Sequence, residues 1–405
     1  MTRSADLDGE QLVAASAVVS GGHVLRPGWF TSRDGRITSV SEGLPARSPD
    51  LDFPTQTIVP GFVDMHVHGG GGATYTAGDP DSVRQAAAFH QVHGTTTTVA
   101  SLVSAGPSAL LAQVRDLGEL VADGVIAGIH LEGPWLSHSR CGAHDPTVLR
   151  PPDPEEIDRV LRAGAGTISM VTIAPELDGA LDAIARFADA GVVVAVGHTE
   201  ATYEQTRAAI GAGARVGTHL FNAMRPLHHR EPGPVLALLE DDRVTVEMVG
   251  DGVHVHQRLL THVVGDVGAG RVALVTDAMA AAGMSDGSYR LGVLEVDVTD
   301  AVARVRATGA IAGSTATMGL LFERALASLP GPADAALTAS SAMASTTPAR
   351  AIGVHDAGDL SPGMRADWVV VDDGRVQEVY RRGALVADPG VIAGFESPRP
   401  RGLRA

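Results

Sequence analysis

Two histidines, His66 and His68, stand two residues apart in the string VDMHVHGGGG and are the first residues that suggest chemistry. On a β-strand, residues i and i+2 face the same side, so both imidazoles point in one direction. A neutral imidazole is the commonest metal ligand in proteins. Further charged or imidazole side chains follow or interrupt apolar runs, where each is costly without a partner. They are Glu132 in IHLEGP, His198 in VGHT, His219 in GTHLFNAM and Asp277 in LVTDAM.

Apolar runs along the chain predict the buried strands that would position these side chains. They cover residues 62–67, 95–101, 125–131, 168–173, 192–196, 216–220, 244–249 and 272–275. Helix-like stretches mostly separate the runs, and this alternation predicts an α/β fold, a parallel (β/α)8 barrel of the TIM type. A doubly wound open sheet is the rival fold. The polar ends of the runs favour the barrel, because a barrel gathers its strand ends at one face, where such enzymes have their active sites.

The two ends of the chain carry a different pattern of short apolar runs divided by turns. Asp34-Gly35 and Asp373-Gly374 each stand between two strand-like runs, which is a hairpin signal. The ends therefore predict a small β-sandwich domain formed by both termini. We expect residues 1–58 and 359–405 to form this β domain, and residues 59–358 to form the metal-dependent catalytic barrel.

Composition excludes several kinds of chemistry. All 31 basic residues are arginine, so no lysine is present to form a Schiff base, complete a Walker-type phosphate loop or bridge two metal ions as a carbamate. The net charge of −16 argues against nucleic-acid binding, since an acidic surface repels a phosphate backbone. The single cysteine, Cys141, excludes an internal disulfide and a multi-cysteine zinc site.

The start of the chain and its apolar runs bear on its location. The first twenty residues lack the basic start, long apolar run and cleavage site of a secretory signal. No apolar stretch approaches the ~18 residues that a membrane span needs. We therefore expect a cytoplasmic protein with no membrane partner.

The constellation of residues resembles the amidohydrolase superfamily and, more narrowly, its N-acetylglucosamine-6-phosphate deacetylases. The resemblance extends from Pro60 to the C-terminal β segment, and its most specific strings are PGFVDMHVHG, HLEGP, CGAHDP, GHT, THLFNAM, DGVH, VTDAM and IAGS. Other branches of the superfamily often bridge their metals with a carbamylated lysine, whereas these deacetylases use a glutamate, here Glu132. A chain without lysine is compatible with this branch.

The resemblance implies one or two divalent metal ions in each subunit. Glu132, His198 and His219 would hold the principal ion, and His66 and His68 would hold a second ion with Glu132 shared between the two. Zinc is the expected metal, while iron, cobalt and manganese stay open because histidine and carboxylate ligands suit all of them. The number of ions in the working enzyme also stays open.

The implied reaction is hydrolysis of the N-acetyl group of N-acetyl-D-glucosamine 6-phosphate to D-glucosamine 6-phosphate and acetate. Asp277 would act as the general base and then as the acid that protonates the amine leaving group. His144 in CGAHDP would stabilise the acetyl oxygen as it becomes an oxyanion. A buried salt bridge for Asp277 and a loop position without a catalytic role for His144 are the alternatives.

The phosphate of such a substrate requires positive charge, which must come from arginine, histidine or backbone N–H groups. The resemblance selects Arg230 and His254 for this purpose. It also implies substrate contacts from Ala143, His144, Asn222, Ala223, Ile311 and Gly313. In the family, the loop that carries Arg230 can cross to a neighbouring subunit, so we expect a homodimer; a solvated basic loop is the alternative.

Two other functions stay open at this point. The first is another metal-dependent amidohydrolase, acting on a different N-acylated sugar or on a cyclic amide; such a substrate would not need the Arg230 and His254 pair. The second is a barrel that senses a metal or a sugar phosphate without catalysis, which would not need a base at Asp277. A third hypothesis gives Cys141 a role as a thiol on a loop over the barrel mouth, against a plain packing residue.

Overall fold

The N-terminal end of the chain begins a β-sheet. The structure, a computed structural model, describes residues 9–76 and 79–387. The first strands are β1 (Gln11–Ser20), β2 (His23–Leu25), β3 (Gly28–Arg33), β4 (Arg36–Glu42) and β5 (Leu51–Pro60). Strand β1 pairs with β3 in antiparallel and with β5 in parallel orientation. Asp34 and Gly35, with φ of 52° and 72°, turn the chain between β3 and β4 where the hairpin was predicted.

Parallel strands in the middle of the chain form the wall of the predicted barrel. They are β6 (Phe62–Val67), β9 (Thr95–Leu102), β10 (Gly128–Glu132), β11 (Ile168–Ile173), β12 (Val193–Val196), β13 (Ala214–Gly217), β14 (Thr245–Met248) and β15 (Val272–Leu274), with β7 (Gly69–Gly70) and β8 (Ala73–Thr74) as a small hairpin after β6. The strands neighbour one another in chain order from β6 to β15, which excludes the doubly wound alternative. Apolar residues point both inward and outward, as expected for strands covered on both faces.

Helices pack around the outside of this wall. They are α1 (Pro80–Val92), α2 (Pro107–Ala122), α3 (Pro154–Gly164), α4 (Ala180–Asp189), α5 (Tyr203–Ala212), α6 (Gly233–Glu240), α7 (Gln257–Val267), α8 (Met318–Ser328), α9 (Ala333–Ser341) and α10 (Thr347–Ala351). Capping hydrogen bonds stabilise the first turn of several of these helices. At the start of α5, for example, the Thr202 side chain accepts from the backbone N–H of Gln205, and the Gln205 side chain accepts from the backbone N–H of Thr202. Across the described ranges, no helix combines the length and the apolar character that crossing a bilayer requires.

Loop residues close the barrel between its last and first strands, which do not pair directly. The N–H of Asp277 donates to the carbonyl of His66 at 2.9 Å, and the N–H of His68 donates to the carbonyl of Ala278 at 2.8 Å. We call this junction between β15 and β6 the seam. Deeper in the seam, the buried Asp64 carboxylate accepts from the hydroxyl and the N–H of Thr276, at 2.5 and 3.2 Å. The seam therefore fixes the end of β6 against the loop that follows β15.

A three-stranded antiparallel sheet follows the barrel strands and covers one side of the barrel mouth. Its strands are β16 (Gly287–Leu291), β17 (Leu294–Thr299) and β18 (Val302–Val305). Its apolar face packs with Val103, Ala143 and Met279 in a separate small core. The insertion thus extends the wall of the mouth beyond the ends of the barrel strands.

The C-terminal strands complete the terminal sheet. They are β19 (Trp368–Asp372), β20 (Arg375–Arg381) and β21 (Ala384–Ala387), and β19 pairs with β5 from the N-terminal part. The sheet curls over a core of its own. There the ring centroids of Phe30 on β3 and Trp368 on β19 lie 5.0 Å apart, although β1 and β5 lie between these two strands in the sheet. The predicted domain from both termini is confirmed. The division at residues 58/59 and 358/359 stays a prediction, and residues 1–8 and 388–405 lie outside the described ranges.

Candidate active site

The histidines and carboxylates singled out in the sequence lie together at the C-terminal ends of the barrel strands. His66 belongs to β6 and His68 follows it, while Glu132 is the last residue of β10. His198 and His219 come two residues after β12 and β13, and Asp277 comes three residues after β15. All six side chains are at least nine-tenths buried.

The histidine rings converge on a single carboxylate, that of Glu132. The Nε2 atoms of His66, His68, His198 and His219 lie 3.4, 3.1, 3.1 and 3.0 Å from its oxygens. Nε2 atoms also face one another, at 3.3 Å between His66 and His68 and at 3.0 Å between His198 and His219. Nitrogen lone pairs this close repel each other unless a cation or a proton lies between them. This donor set fits divalent metal ions, whose preferred ligands are neutral imidazoles and carboxylates.

The donor atoms divide into two groups that each suit one ion. One group is His66, His68 and Asp277, and the other is Glu132, His198 and His219. In each group the donor atoms lie within 4.8 Å of one another. Glu132 is also within reach of the first group through His66 and His68, so one carboxylate can be shared between two ions. The predicted metal ligands are therefore brought together, and Asp277 lies beside them.

Strained backbone surrounds these side chains. His198, His219 and Asp277 have φ of 47°, 25° and 48°, and Phe221 and Ala223 in the loop after β13 have φ of 79° and 49°. Residues other than glycine rarely adopt positive φ, and each such residue costs on the order of 1–3 kcal/mol. Strain of this kind concentrates at functional sites, where it aims particular side chains or N–H groups.

The two central carboxylates are held in their charged form. Burial alone would raise the pKa of Glu132, but the neighbouring His66 and His144 rings bring it well below its usual value. Burial would likewise raise the pKa of Asp277, and the rings of His68 and His66 lower it instead. Both groups are therefore available as anions for a metal ion or for a proton.

His144 is positioned as a neutral hydrogen-bond donor. The backbone N–H of Ser104 donates to its Nδ1 at 3.1 Å, which places the ring proton on Nε2. That Nε2 points toward the centre of the site, 3.3 Å from a Glu132 oxygen. Burial lowers the pKa of His144 to about 4, so the ring carries one proton and no charge at neutral pH.

A short loop carries His144 across the mouth and touches a metal-ligand candidate. The Nδ1 of His198 donates to the backbone carbonyl of Arg140 at 2.9 Å. The N–H of His144 donates to the carbonyl of the half-buried Cys141 at 3.0 Å, closing a tight turn. The loop conformation and the orientation of the His198 ring therefore depend on each other.

A cavity of about 340 Å³ opens above the histidine cluster. Of the residues predicted to contact substrate, those that line it are Ala143, His144, Asn222, Ala223, His254, Ile311 and Gly313. The His254 Nδ1 donates to Asp251 at 2.8 Å, and Asp251 raises the pKa of His254 above its usual value although burial opposes this. His254 can thus present positive charge to the cavity.

Arg230 is the predicted contact that a single chain does not bring to the cavity. It lies in an exposed loop, where one of its guanidinium nitrogens is 2.8 Å from the His229 ring. Arg140 lines the cavity instead, paired with Glu200. Sequence reasoning did not single out Arg140, although it stands in the string SRCGAH directly before the motif that contains His144.

A parallel barrel with buried imidazoles and carboxylates converging at its C-terminal mouth defines a metal-dependent enzyme. Comparison with known proteins agrees, since residues 57–391 match the sequence model described as the amidohydrolase family. The chain belongs to the amidohydrolase family, and membership together with the buried donor groups supports a divalent metal cofactor.

The chain is also similar to particular members of that family. The N-acetylgalactosamine-6-phosphate deacetylase of Escherichia coli O157:H7 is 36% identical over 90% of this chain and 99% of its own length. The N-acetylglucosamine-6-phosphate deacetylase of Vibrio furnissii is 36% identical over 85% of this chain and 86% of its own. A solved structure from Mycobacterium smegmatis is 56% identical, with a TM-score of 0.92 over 94% of this chain and 100% of that one. It shows an aspartate-to-alanine mutant of N-acetyl-D-glucosamine-6-phosphate deacetylase in complex with N-acetyl-D-glucosamine-6-phosphate.

Proposed function

We propose that this protein is a deacetylase that hydrolyses the acetamide of N-acetyl-D-glucosamine 6-phosphate, releasing acetate and D-glucosamine 6-phosphate. The observation that carries the proposal is the pairing of Asp277 and His144 across the histidine cluster, at the floor of a cavity that His254 and Asn222 also line. Similarity to deacetylases of phosphorylated N-acetyl amino sugars supports the choice of substrate.

The metal ions would be held by the four histidines of the two groups together with Glu132, which leaves Asp277 free to act as the base. Glu132, His198 and His219 would bind the principal ion, and His66 and His68 would bind a second ion with Glu132 shared. We propose zinc, with iron, cobalt and manganese as the other metals that this donor set suits. When bound, such ions lower the pKa of water toward neutrality and polarise the acetyl carbonyl.

Asp277 would serve first as general base and then as general acid. Its carboxylate lies 3.3 Å from the His68 Nε2, beside the position where the nucleophilic water must approach. It would accept a proton from that water and return it to the amine nitrogen, which cannot leave as an anion. Backbone hydrogen bonds on both sides hold the residue, because its N–H donates to His66 and its carbonyl accepts from Ser314 at 2.7 Å.

His144 would donate its Nε2 proton to the acetyl oxygen as negative charge develops on it. A donor whose tautomer is fixed in advance by the Ser104 N–H needs no reorganisation during the reaction, which makes such a group effective. The lowered pKa of His144 suits this role. A ring that stays neutral can donate its Nε2 proton to the acetyl oxygen, and it does not take up the proton of the nucleophilic water.

The substrate phosphate would be bound by His254, by Asn222 and the backbone of Ala223, and by Arg230 from a second subunit. Ala143, Ile311 and Gly313 would contact the sugar at the cavity wall. The loop of Arg230 projects outward and leaves Leu227 54% exposed. We therefore propose a homodimer in which each subunit completes the cavity of the other, acting in the cytoplasm and independently of nucleic acids and membranes.

Acetate release tests the proposal directly. The metal-loaded protein is assayed on N-acetylglucosamine 6-phosphate, with unphosphorylated N-acetylglucosamine as the comparison substrate. We expect release from the phosphorylated sugar and little or none from the other. Release at equal rates from both would favour another N-acylated substrate, and absence of release from either with metal restored would contradict the deacetylase assignment.

A second candidate substrate is the C4 epimer, N-acetylgalactosamine 6-phosphate. The E. coli relative named for that substrate is as similar to this chain as the V. furnissii relative named for the glucosamine sugar, at 36% identity each. The ratio of kcat/KM for the two phosphorylated epimers decides between them. We expect the N-acetylglucosamine sugar to be preferred, since the 56% identical M. smegmatis protein binds it.

A further inference from the structure

Glu247 is a buried acidic residue directly beneath the candidate metal centre. It lies on β14, the strand between those that lead to His219 and to Asp277, and its side chain is fully buried. The strand β14 contributes no residue to either group of metal donors. A carboxylate in such a position is costly unless it is paired and hydrogen-bonded. Its partners therefore indicate why it is there.

One oxygen of Glu247 contacts both groups of donors. Its Oε2 accepts from the Nδ1 of His66 at 3.0 Å and from the backbone N–H of His219 at 3.0 Å. The first bond fixes the His66 proton on Nδ1, so the Nε2 lone pair faces His68, Glu132 and Asp277. Carboxylates that receive the outer N–H of a ligating histidine orient the ring and make it more basic.

The second bond supports a strained residue. His219 has φ of 25°, a conformation that residues other than glycine rarely adopt. A second anchor on the same strand is independent of the Glu247 side chain, because the backbone carbonyl of Glu247 accepts from Leu220 N–H at 2.8 Å. Removal of the carboxylate therefore leaves His219 partly held but leaves Nδ1 of His66 without an acceptor.

No arginine that the structure describes pairs with this carboxylate. Within the described ranges its hydrogen bonds go only to His66 and His219, and its buried Oε1 has no hydrogen-bond partner there. Glu156, by contrast, pairs with Arg150 and contacts no metal donor. The contacts of Glu247 go instead to the two groups of metal donors.

We propose that Glu247 is a positioning residue that prepares His66 for the second metal ion and keeps the two ion positions in register. The inference rests on the metal centre of the proposed function and adds an asymmetry to it. Loss of the carboxylate weakens the ion held by His66 and His68 much more than the ion held by Glu132, His198 and His219. The Glu247 carboxylate thus determines whether the centre binds two ions or one.

Metal stoichiometry in the absence of substrate tests this assignment. Glu247→Ala and Glu247→Gln are compared with wild type by measuring bound zinc per subunit over a series of buffered free zinc concentrations. The Ala variant is expected to bind one ion about 10- to 100-fold more weakly, the usual cost of losing such a partner, and the other ion with little change. The Gln variant keeps an oxygen acceptor and is expected to recover much of the loss.

A double-mutant comparison shows whether Glu247 acts through His66. His66→Asn alone is expected to lose the second ion, and adding Glu247→Ala to it should cause little further loss of metal. The visible absorption spectrum of the cobalt-loaded proteins follows the same comparison, since it reports the coordination of the ions that remain. Asp241→Asn is the matched control, because Asp241 is a buried carboxylate just before β14 that pairs with Arg243 and Arg207 rather than with the site.

Four results would overturn the assignment. They are wild-type affinity for two ions in Glu247→Ala, equal weakening of both ions, a further loss of metal when Glu247→Ala is added to His66→Asn, and a single ion per subunit in the wild type. Thermal unfolding checks that each variant is folded, and Glu247→Leu, which removes both oxygens but fills most of the space, replaces the Ala variant if that variant unfolds. Absence of acetate release from a protein that binds two ions would refute the deacetylase proposal and leave the role of Glu247 intact.

Discussion

Gly313 offers a way to move the proposed base without changing it. The residue has φ of 71°, and a Cβ placed on it would lie 2.7 Å from the backbone oxygen of Asp277. Ordinary contact begins at 3.4 Å, so the added methyl group is about 0.7 Å too close. The clash is with backbone rather than with the end of a flexible side chain. Gly313→Ala must therefore push the loop of Asp277 and the loop of Gly313 apart.

The expected effect on turnover follows from that displacement. A misplacement of about 1 Å in a reacting group can lower the rate by about 100-fold, so a shift of several tenths of an ångström predicts a 10- to 100-fold fall in kcat. The left-handed backbone adds a cost in unfolding free energy of about 1–2 kcal/mol for any residue with a Cβ. Glu132, His198 and His219 are untouched, so the principal ion is expected to be retained.

Gly309→Ala is the matched control in the same segment. Gly309 has φ of 73°, and a Cβ there would meet nothing within 4 Å. The control should show in urea denaturation only the loss of unfolding free energy that comes from the left-handed backbone, and an unchanged kcat in the acetate-release assay. Equal turnover in the two variants would refute the reasoning that the close approach of Gly313 sets the position of Asp277.

Three further predictions concern the oxyanion donor, a buried histidine and the metal ions. His144→Ala should lower kcat by about 100- to 1000-fold with metal content retained, while His138→Ala, an exposed neighbour on the same loop, should leave kcat unchanged; similar kinetics for both would exclude His144 as the donor. Burial lowers the pKa of His90 to about 4, below its ordinary value of 6.5. Between pH 4 and 6.5 the unfolded chain therefore binds more protons than the folded protein, so the free energy of unfolding decreases as the pH falls through this range. His90→Gln should reduce that loss by up to about 3 kcal/mol in urea denaturation at pH 6.5 and 4, and an unchanged pH dependence would contradict it. Removing zinc with a chelator should lower the unfolding free energy by about 4 kcal/mol for each ion bound, relative to protein with zinc at a thousandfold excess over Kd. Readdition of zinc that fails to restore stability would contradict a metal centre.

The barrel and its mouth could be predicted because their signals are local in the sequence. Each apolar run is long enough to mark a buried strand, and the polar residue at its end marks the face at which the strands finish. The observed strands differ from the prediction where the chain leaves regular structure. Residues 125–127 turn after α2 instead of beginning β10, and β13 ends at Gly217 because Thr218 and His219 already belong to the strained loop.

Other parts of the site depend on contacts between segments that are distant in the sequence, so they were harder to predict. Glu247 gave a weak signal as a lone charge in the apolar string TVEMV, but its partners His66 and His219 are fixed only when the barrel closes. Arg140 reaches the cavity through the path of its loop, which no periodic pattern describes. Arg230 is the opposite case. Its motif predicted a contact with substrate, but in a single chain the residue is exposed and lies away from the cavity.

The seam between the last and the first barrel strands links the assembly of the protein to its cofactor. Asp64 and Thr276, which meet there, are 212 residues apart in the chain. A growing chain therefore contains the first histidine pair long before the residues that complete the other side of the centre have been made. We therefore expect tight binding of metal beside His66 and His68 only after the circle of strands is closed. An incomplete chain that ends before Thr276 is expected to bind metal at His66 and His68 only weakly.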